Sequence, residues 1–338
     1  LKEGDYSNKD TFAKLADAIT TAEKAYTNVS DTRLNYKAAR DILEKVRVAL
    51  VKNVSTESSD PKTFRILDKK TVTKEMGAGI NLGNTMDGGL YDSSETGWQA
   101  YKTTKDYIKA LHDAGYNTVR IPVTWGSHIN DDYTIDEAWI NRVQEIVDYC
   151  VDQDMYAIVN IHHDGAANHD DRGNNTPACW LDTYSQNIEK VYQKYEGVWN
   201  TIANRFKDYD EHVIFESMNE VTDAHGTATN EDDAVLNALN QLFINTVRAT
   251  GSNNTKRWLA ITGRFATTAA ITTMPEDTLA DSGDLGTTRL MFAVHIYKSN
   301  NNVRWSYDDL KQWQSSMSSS YKNVGNLDAN MPIYVGEY

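Results

Sequence analysis

Two glutamates stand in sequence settings that suit paired acid and base chemistry. Glu220 follows the apolar run 213–218, and Glu337 follows the apolar run 333–336. If both runs are strands of one parallel sheet, their carboxyl ends meet at the same rim, and the two side chains can face each other. One carboxyl group could then protonate a leaving oxygen while the other attacks an anomeric carbon, at a separation of roughly 5–5.5 Å in a retaining enzyme. The pair indicates glycoside hydrolysis.

Other polar side chains lie within or just after predicted strands. They are Arg120, His162, His163, Asn219, His295 and Tyr297. Arg120 could supply the positive charge that separates the pKa values of the two glutamates. One glutamate alone would be read as a solvated rim residue or a helix cap, but the whole set favours an active site. Glu216 is interpreted instead as a buried, paired residue of the sheet.

The elements that would position these residues alternate between short apolar runs and amphipathic helices. The predicted strands are 77–82, 118–123, 156–161, 213–218, 258–262, 290–296 and 333–336. Helical stripes between them, such as 139–150 after the cap candidate Asp136, indicate βα units and a parallel sheet. A doubly wound sheet usually carries a glycine-rich phosphate loop, which this sequence lacks. Seven runs predict an α/β fold, either an open sheet or a (β/α)8 TIM barrel lacking its eighth βα unit.

The chain divides into three parts by composition. Residues 1–54 show two helical stripes with few large apolar side chains, which predicts a small, partial helical module. Residues 55–63 are rich in Ser, Asp and Pro and predict a linker. Residues 64–338 form the predicted barrel.

Histidines in the predicted rim raise the question of a metal. His162 and His163 are followed by Asp164, but adjacent strand residues point to opposite faces, so the two histidines are not expected to share an ion. No H-E-x-x-H pair and no G-x-S-x-G elbow occurs. We therefore expect no metal, no cofactor and no serine nucleophile.

Composition excludes several classes of function. The formal net charge of −14 disfavours nucleic acid and anionic membranes as partners, and no apolar run reaches the roughly 18 residues of a membrane helix. The two cysteines, Cys150 and Cys179, form no disulfide framework, and Cys150 is expected to be a free core thiol.

Aromatic residues near predicted strand ends could stack on sugar rings or simply fill the core. They are Tyr91, Trp98, Trp125, Trp180 and Trp305, of which we predict Trp125 and Trp180 to bind substrate.

From about residue 64 onward the chain resembles glycoside hydrolase family 5. The motifs that carry this resemblance are GINLGNTMD at 79–87, NTVRIPVTW at 117–125, NIHHD at 160–164, IFESMNE at 214–220, HIY at 295–297 and YVGEY at 334–338. They are most similar to the endoglucanases and xyloglucanases of subfamily 4. The N-terminal segment resembles part of a FIVAR-type helical module.

The resemblance implies roles by position. Glu220 matches the acid/base, Glu337 the nucleophile, and Arg120 the arginine that orients the nucleophile. Asn219 matches the residue that holds the 2-hydroxyl of the sugar being cut.

Three further rim residues have counterparts in the family. His295 and Tyr297 match the pair beside the nucleophile, and His162, with His163 next to it, matches the third-strand histidine that contacts the same sugar.

The resemblance also implies an activity and a setting. We expect a retaining endo-β-1,4-glucanase of the cellulase type, extracellular, acting on cellulose, mixed-linkage glucan and xyloglucan without a cofactor. A β-mannanase and a non-catalytic carbohydrate-binding protein are the alternatives. The family barrel continues past the nucleophile through an eighth strand, so we expect a longer native protein, with other modules on the same polypeptide as possible partners.

Overall fold

The computed structural model describes most of the chain from residue 64 onward. The described ranges are 64–88, 94–165, 179–183, 187–221, 230–267, 275–278, 289–297 and 331–338, with single positions or pairs at 20, 24, 271, 280, 308, 311–312 and 315. The predicted helical module 1–54 and linker 55–63 lie outside these ranges, apart from Thr20 and Lys24, and stay predictions. Tyr91 and Trp305 lie outside them as well.

Seven strands and five main helices alternate along the described residues. The strands are β1 (Gly79–Asn81), β2 (Thr118–Ile121), β3 (Tyr156–Asn160), β4 (Val213–Glu216), β5 (Leu259–Ile261), β6 (Leu290–His295) and β7 (Ile333–Glu337). The helices are α1 (Lys69–Met76), α2 (Lys105–Asp113), α3 (Glu137–Val151), α4 (Ile188–Phe206) and α5 (Asn230–Ala249). All seven predicted strands are confirmed, with slightly different bounds.

Local sequence explains where these helices begin and end. The side chains of Asp68, Thr104 and Asp136 accept hydrogen bonds from backbone N–H groups in the first turns of α1, α2 and α3. The predicted cap Asp136 is therefore confirmed. Gly115 after α2 and Gly251 after α5 have φ of +96° and +72°, a conformation that glycine adopts without strain.

The strands form one parallel sheet whose spatial order follows the sequence, β1 to β7. The strands from β2 to β6 are buried along their whole length, as expected when helices cover one face and strand side chains fill the other. This arrangement is the nearly closed barrel of a (β/α)8 fold, so the predicted fold class is confirmed. Cys150 and Cys179 are both buried, and no disulfide joins them.

The barrel interior changes character along its axis. At the amino ends of the strands, Ile158, Ile214 and Met291 pack with Val72 and Met76 of α1, which covers this end of the barrel. Toward the carboxyl ends, the inward-facing positions carry polar residues instead, and this polar layer is the floor of the candidate site.

The two outer strands of the described sheet, β1 and β7, face each other across a groove of about 680 Å³. Ile80, Tyr116, Met291 and Val335 are among the side chains that line it. No helix among the described residues is long and apolar enough to cross a lipid bilayer.

Candidate active site

Glu220 and Glu337 meet at the carboxyl rim of the barrel, with His295 between them. One oxygen of each carboxylate and one nitrogen of the His295 ring all lie within 4.8 Å of one another. His295 Nδ1 is 2.6 Å from Glu220 Oε1, and its Nε2 is 3.6 Å from Glu337 Oε1. This spacing is close to the roughly 5–5.5 Å of a retaining glycosidase and shorter than the roughly 6.5–9.5 Å of an inverting one.

Glu337 is surrounded by groups that favour its ionised form. Arg120 Nη1 donates to Glu337 Oε1 at 2.8 Å, and the Tyr297 hydroxyl donates to Oε2. Burial acts to raise the pKa of Glu337, but the charges of His295 and Arg120 and the hydrogen bonds from Tyr297 and Arg120 outweigh it and lower the pKa below its usual value. A carboxylate held ionised in this way is suited to nucleophilic attack.

Arg120 is almost completely buried and donates through all of its N–H groups. Nε and Nη2 form a two-point ion pair with Glu216, at 2.9 and 2.7 Å. Nη2 also donates to Asn219 Oδ1 at 2.8 Å, and Nη1 donates to Glu337 and to Asn81 Oδ1. Glu216 is 1% exposed, so its interpretation as a buried, paired residue agrees with the structure.

His162 presents one defined tautomer to the site. Asn160 Oδ1 accepts a hydrogen bond from the backbone N–H of Val123, so its Nδ2 is the group that lies 3.2 Å from His162 Nδ1. The hydrogen of a neutral His162 ring therefore resides on Nε2, which is 4.0 Å from Glu337 Oε1. Burial, followed by the nearby charges of Arg120, His163 and His295, lowers the pKa of His162 well below its usual value and keeps the ring neutral.

His163 faces the same side of the rim as His162, which corrects the alternation argument made from the sequence. The two rings are 4.4 Å apart, and each offers a nitrogen that lies within 4.8 Å of the other and of a carboxylate oxygen of Asp87. The argument failed because β3 ends at Asn160, so both histidines lie beyond the strand where its alternation no longer applies. The Trp98 ring lies edge-on to His163 at 5.4 Å and is 46% exposed.

The two tryptophans predicted to bind substrate differ. Trp125 is 0% exposed, and its Nε1 donates to the Asn160 carbonyl, so this prediction is wrong: the ring is part of the core and offers no face to a sugar. Trp180 is partly exposed, donates from Nε1 to Asp164 at 2.6 Å, and lies under Lys194. Its role in substrate binding stays a prediction.

Comparison with known proteins places this architecture in a family. The model of the cellulase family, glycosyl hydrolase family 5, matches residues 81–338. The chain belongs to glycoside hydrolase family 5. The prediction of a glycoside hydrolase is thereby confirmed.

Relatives of this family 5 hydrolase include named endoglucanases. It is 34% identical to endoglucanase A of Ruminococcus albus over 278 residues, which cover 78% of this chain and 72% of the relative. It is 35% identical to endoglucanase B of Clostridium cellulovorans over 301 residues, which cover 87% of this chain and 63% of the relative. The endo-β-1,4-glucanase class predicted from the sequence agrees with these names.

Solved structures similar to the family 5 hydrolase include two with bound ligands. A xyloglucanase from Paenibacillus pabuli has a TM-score of 0.67 and 32% identity, with 78% of this chain and 79% of that one covered. A broad-specificity endoglucanase of subfamily 4 from Ruminococcus champanellensis, with bound cellotriose, has a TM-score of 0.66 and 32% identity, with 81% and 80% covered. Both structures therefore share the fold of this chain over most of its length.

Several residues of the hydrolase's site were not singled out from the sequence as site residues. Asn81, Asp87 and Asn160 lie inside the motifs quoted above, so the signal was present, but it did not show which members of each motif face the site. Trp98 was noted only as one of several aromatic residues. Its exposed face beside His163 is a tertiary feature.

Proposed function

We propose that this chain is a retaining endo-β-1,4-glucanase that uses Glu337 as the nucleophile and Glu220 as the acid/base. The observation that carries the proposal is the close pair of carboxylates, one of which is paired with Arg120 and Tyr297. Glu337 attacks the anomeric carbon, and Glu220 donates a proton to the leaving oxygen. Glu220 then removes a proton from the water that hydrolyses the glycosyl-enzyme intermediate.

The neighbouring polar groups are oriented to hold the sugar at the cleavage point. Because Asn219 Oδ1 accepts from Arg120, the Nδ2 of Asn219 is the group left to donate to a sugar hydroxyl. His162 Nε2 and the ring of His163 are further donors on the same rim, and Trp98 offers an exposed ring beside them. Trp180 adds a second partly exposed ring.

The substrates we propose are soluble β-1,4-linked glucans, including mixed-linkage glucan and xyloglucan, as well as cellulose. The relatives named endoglucanase and the similar xyloglucanase support this range, as does the similarity to subfamily 4 structures. We further propose membership of subfamily 4, a FIVAR-like N-terminal module and an extracellular location.

The test is reducing-sugar release from β-glucan, xyloglucan, carboxymethylcellulose and mannan. We expect turnover on the glucans, and a loss of about 10³-fold or more in both Glu220→Gln and Glu337→Gln. Glu137→Gln, a substitution at an exposed glutamate of α3, is the matched control and should leave turnover unchanged. Turnover on mannan but not on glucan would favour the mannanase alternative, and binding without any turnover would favour the non-catalytic one.

An aryl cellobioside with an acidic phenol leaving group separates the two roles. Such a leaving group needs no protonation, so Glu220→Gln should still release a burst of phenol and then stall, whereas Glu337→Gln should release none. Proton NMR of the first product should show the β-anomer. An α-anomer as the first product would refute the retaining mechanism.

A further inference from the structure

Asn81, the last residue of β1, touches two parts of the nucleophile's surroundings. Its Nδ2 donates to the Gly336 carbonyl at 2.7 Å, and its Oδ1 accepts from Arg120 Nη1 at 3.1 Å. The two bonds require opposite ends of the amide, so they define its orientation. This single side chain therefore joins β1 to β7 across the groove between them, at the level of Glu337.

Gly336, whose carbonyl accepts from Asn81, lies at an irregularity of β7. Val335 pairs with Val294 and Glu337 pairs with His295, so the register between β6 and β7 passes over Gly336 and leaves it as a bulge. A bulge disrupts the local ladder and redirects the following side chain, here Glu337. A Cβ at position 336 would lie 3.0 Å from His295 Nε2, so the backbone at the bulge is also in close contact with the His295 ring.

Arg120 depends on Asn81 from the other side. A guanidinium group has five N–H donors, and in Arg120 all five are used, by Glu216 twice, Asn219, Glu337 and Asn81. Asn81 and Glu337 share Nη1. Without the Asn81 oxygen, one buried N–H of Nη1 loses its acceptor, and Nη1, the nitrogen that donates to Glu337, is no longer held from both sides.

We propose that Asn81 is a positioning residue for the nucleophile: its amide fixes the Gly336 bulge and the Arg120 guanidinium together, and so sets the place and the ionisation of Glu337. This inference rests on the proposed function, since it assigns Glu337 the nucleophilic role. Asn81 acts through its two neighbours and is not assigned any contact with substrate.

The test compares Asn81→Ala with Asn240→Ala across the pH profile of kcat/KM. Asn240 is a matched control because its buried amide also bridges two elements, donating to the Thr262 carbonyl at 2.7 Å and accepting from Ser217 at 2.8 Å, without touching Arg120 or Glu337. Both variants should unfold at lower denaturant concentration. Only Asn81→Ala should move the acidic limb of the profile to higher pH, by about 0.5–1 pH unit, and lower kcat/KM at the optimum about tenfold.

An acidic limb that stays at the wild-type pH in Asn81→Ala, or that moves equally in Asn240→Ala, would overturn the proposal. If Asn81→Ala does not fold, Asn81→Ser, which keeps a hydroxyl group on Cβ, replaces it. The carboxyl ¹³C shift of Glu337 in labelled protein gives its pKa without turnover, and that pKa should rise in the Asn81 variant. An inactive wild-type protein would therefore refute the proposed function and still leave the role of Asn81 testable.

Discussion

At the scale of single residues, the site is organised around one buried cation. Arg120 forms ion pairs with two glutamates. The side chain of Glu216 is 1% exposed and supports the fold, whereas that of Glu337 is 22% exposed and faces the site. This division gives Arg120 two tasks that can be separated experimentally. Removing the cation leaves Glu216 as an unpaired buried charge, and it also removes the guanidinium that donates to Glu337.

Arg120→Met should therefore lower the free energy of unfolding by about 3–5 kcal/mol and abolish turnover. Adding Glu216→Gln to this variant removes the unpaired buried charge and should restore most of the lost stability, while turnover stays absent. Urea unfolding and glucan hydrolysis measure the two effects on the same samples. Recovery of turnover in the double variant would show that Arg120 acts on the nucleophile only by supporting the fold.

The pKa of Glu337 leads to a second residue-scale expectation. Because this pKa is lowered, the ionised nucleophile persists to acidic pH, and the acidic limb of kcat/KM should fall below the usual glutamate value of 4.5. Tyr297→Phe removes one hydrogen bond to Glu337 and should move the limb toward higher pH. Initial rates from pH 3 upward, at pH values where the protein stays folded, measure the position of the limb. A limb that moves toward lower pH in Tyr297→Phe would contradict this expectation.

At the scale of elements, one buried aspartate joins the segments that follow β2 and β3. The Asp164 carboxylate accepts from the backbone N–H of Trp125 and from Trp180 Nε1, and its backbone carbonyl accepts from the N–H groups of Trp180 and Leu181. Lys194 of α4 lies over the Trp180 ring at 4.9 Å. Two rim segments and a helix are thus held by contacts that converge on Asp164 and Trp180.

Asp164 should also make stability depend on pH. Burial raises its pKa from 3.8 to about 7, against the hydrogen bonds from Trp125 and Trp180 and the charge of Lys194. The Asp164 carboxyl loses its proton near pH 3.8 in the unfolded chain and only near pH 7 in the folded chain. The protonated Asp164 therefore contributes fully to the free energy of unfolding below pH 3.8, and this contribution declines as the pH rises to 7. Asp164→Asn should gain stability relative to wild type over that window, by about 4 kcal/mol.

Urea unfolding of both proteins between pH 4.5 and 7.5 measures this difference. The amide substitution also brings a pH-independent offset, so the slope is the informative quantity. Asp131→Asn, at an exposed aspartate, is the control and should unfold in parallel with wild type. Parallel curves for Asp164→Asn as well would contradict the prediction.

At the scale of the whole molecule, the barrel separates chemistry at one end from support at the other. Arg257, which precedes β5 at the amino ends of the strands, is fully buried and donates to four backbone carbonyls and to Asn254 Oδ1. The carbonyls are those of Phe206, Tyr209, Asp210 and Val213. One side chain thus holds the end of α4, the segment that follows it and the start of β4 together.

Arg257→Met should cost about 4 kcal/mol of unfolding free energy or more, because several buried acceptors lose their donor at once. The activity of each molecule that remains folded should stay within about twofold of wild type, since active sites in this architecture lie at the opposite rim, at the carboxyl ends of the strands. Arg205→Met, which breaks a partly exposed ion pair between α4 and Glu137 of α3, should cost about 1 kcal/mol or less. Unfolding curves combined with rates per folded molecule decide between these outcomes.

The sequence alone determined the order of the seven strands and most of the polar residues at their carboxyl ends, and it narrowed the fold to an open parallel sheet or a (β/α)8 barrel. It could do so because apolar periodicity, helix caps such as Asp136 and the position of polar residues after strands are local properties. Tertiary structure alone decided which neighbours those residues meet. Trp125 is buried although it lies at a strand end, and His162 and His163 share a side because β3 stops before them. The contacts of Asn81 with Gly336 and Arg120 depend on curling the sheet until β1 approaches β7, a long-range packing event that no local pattern records.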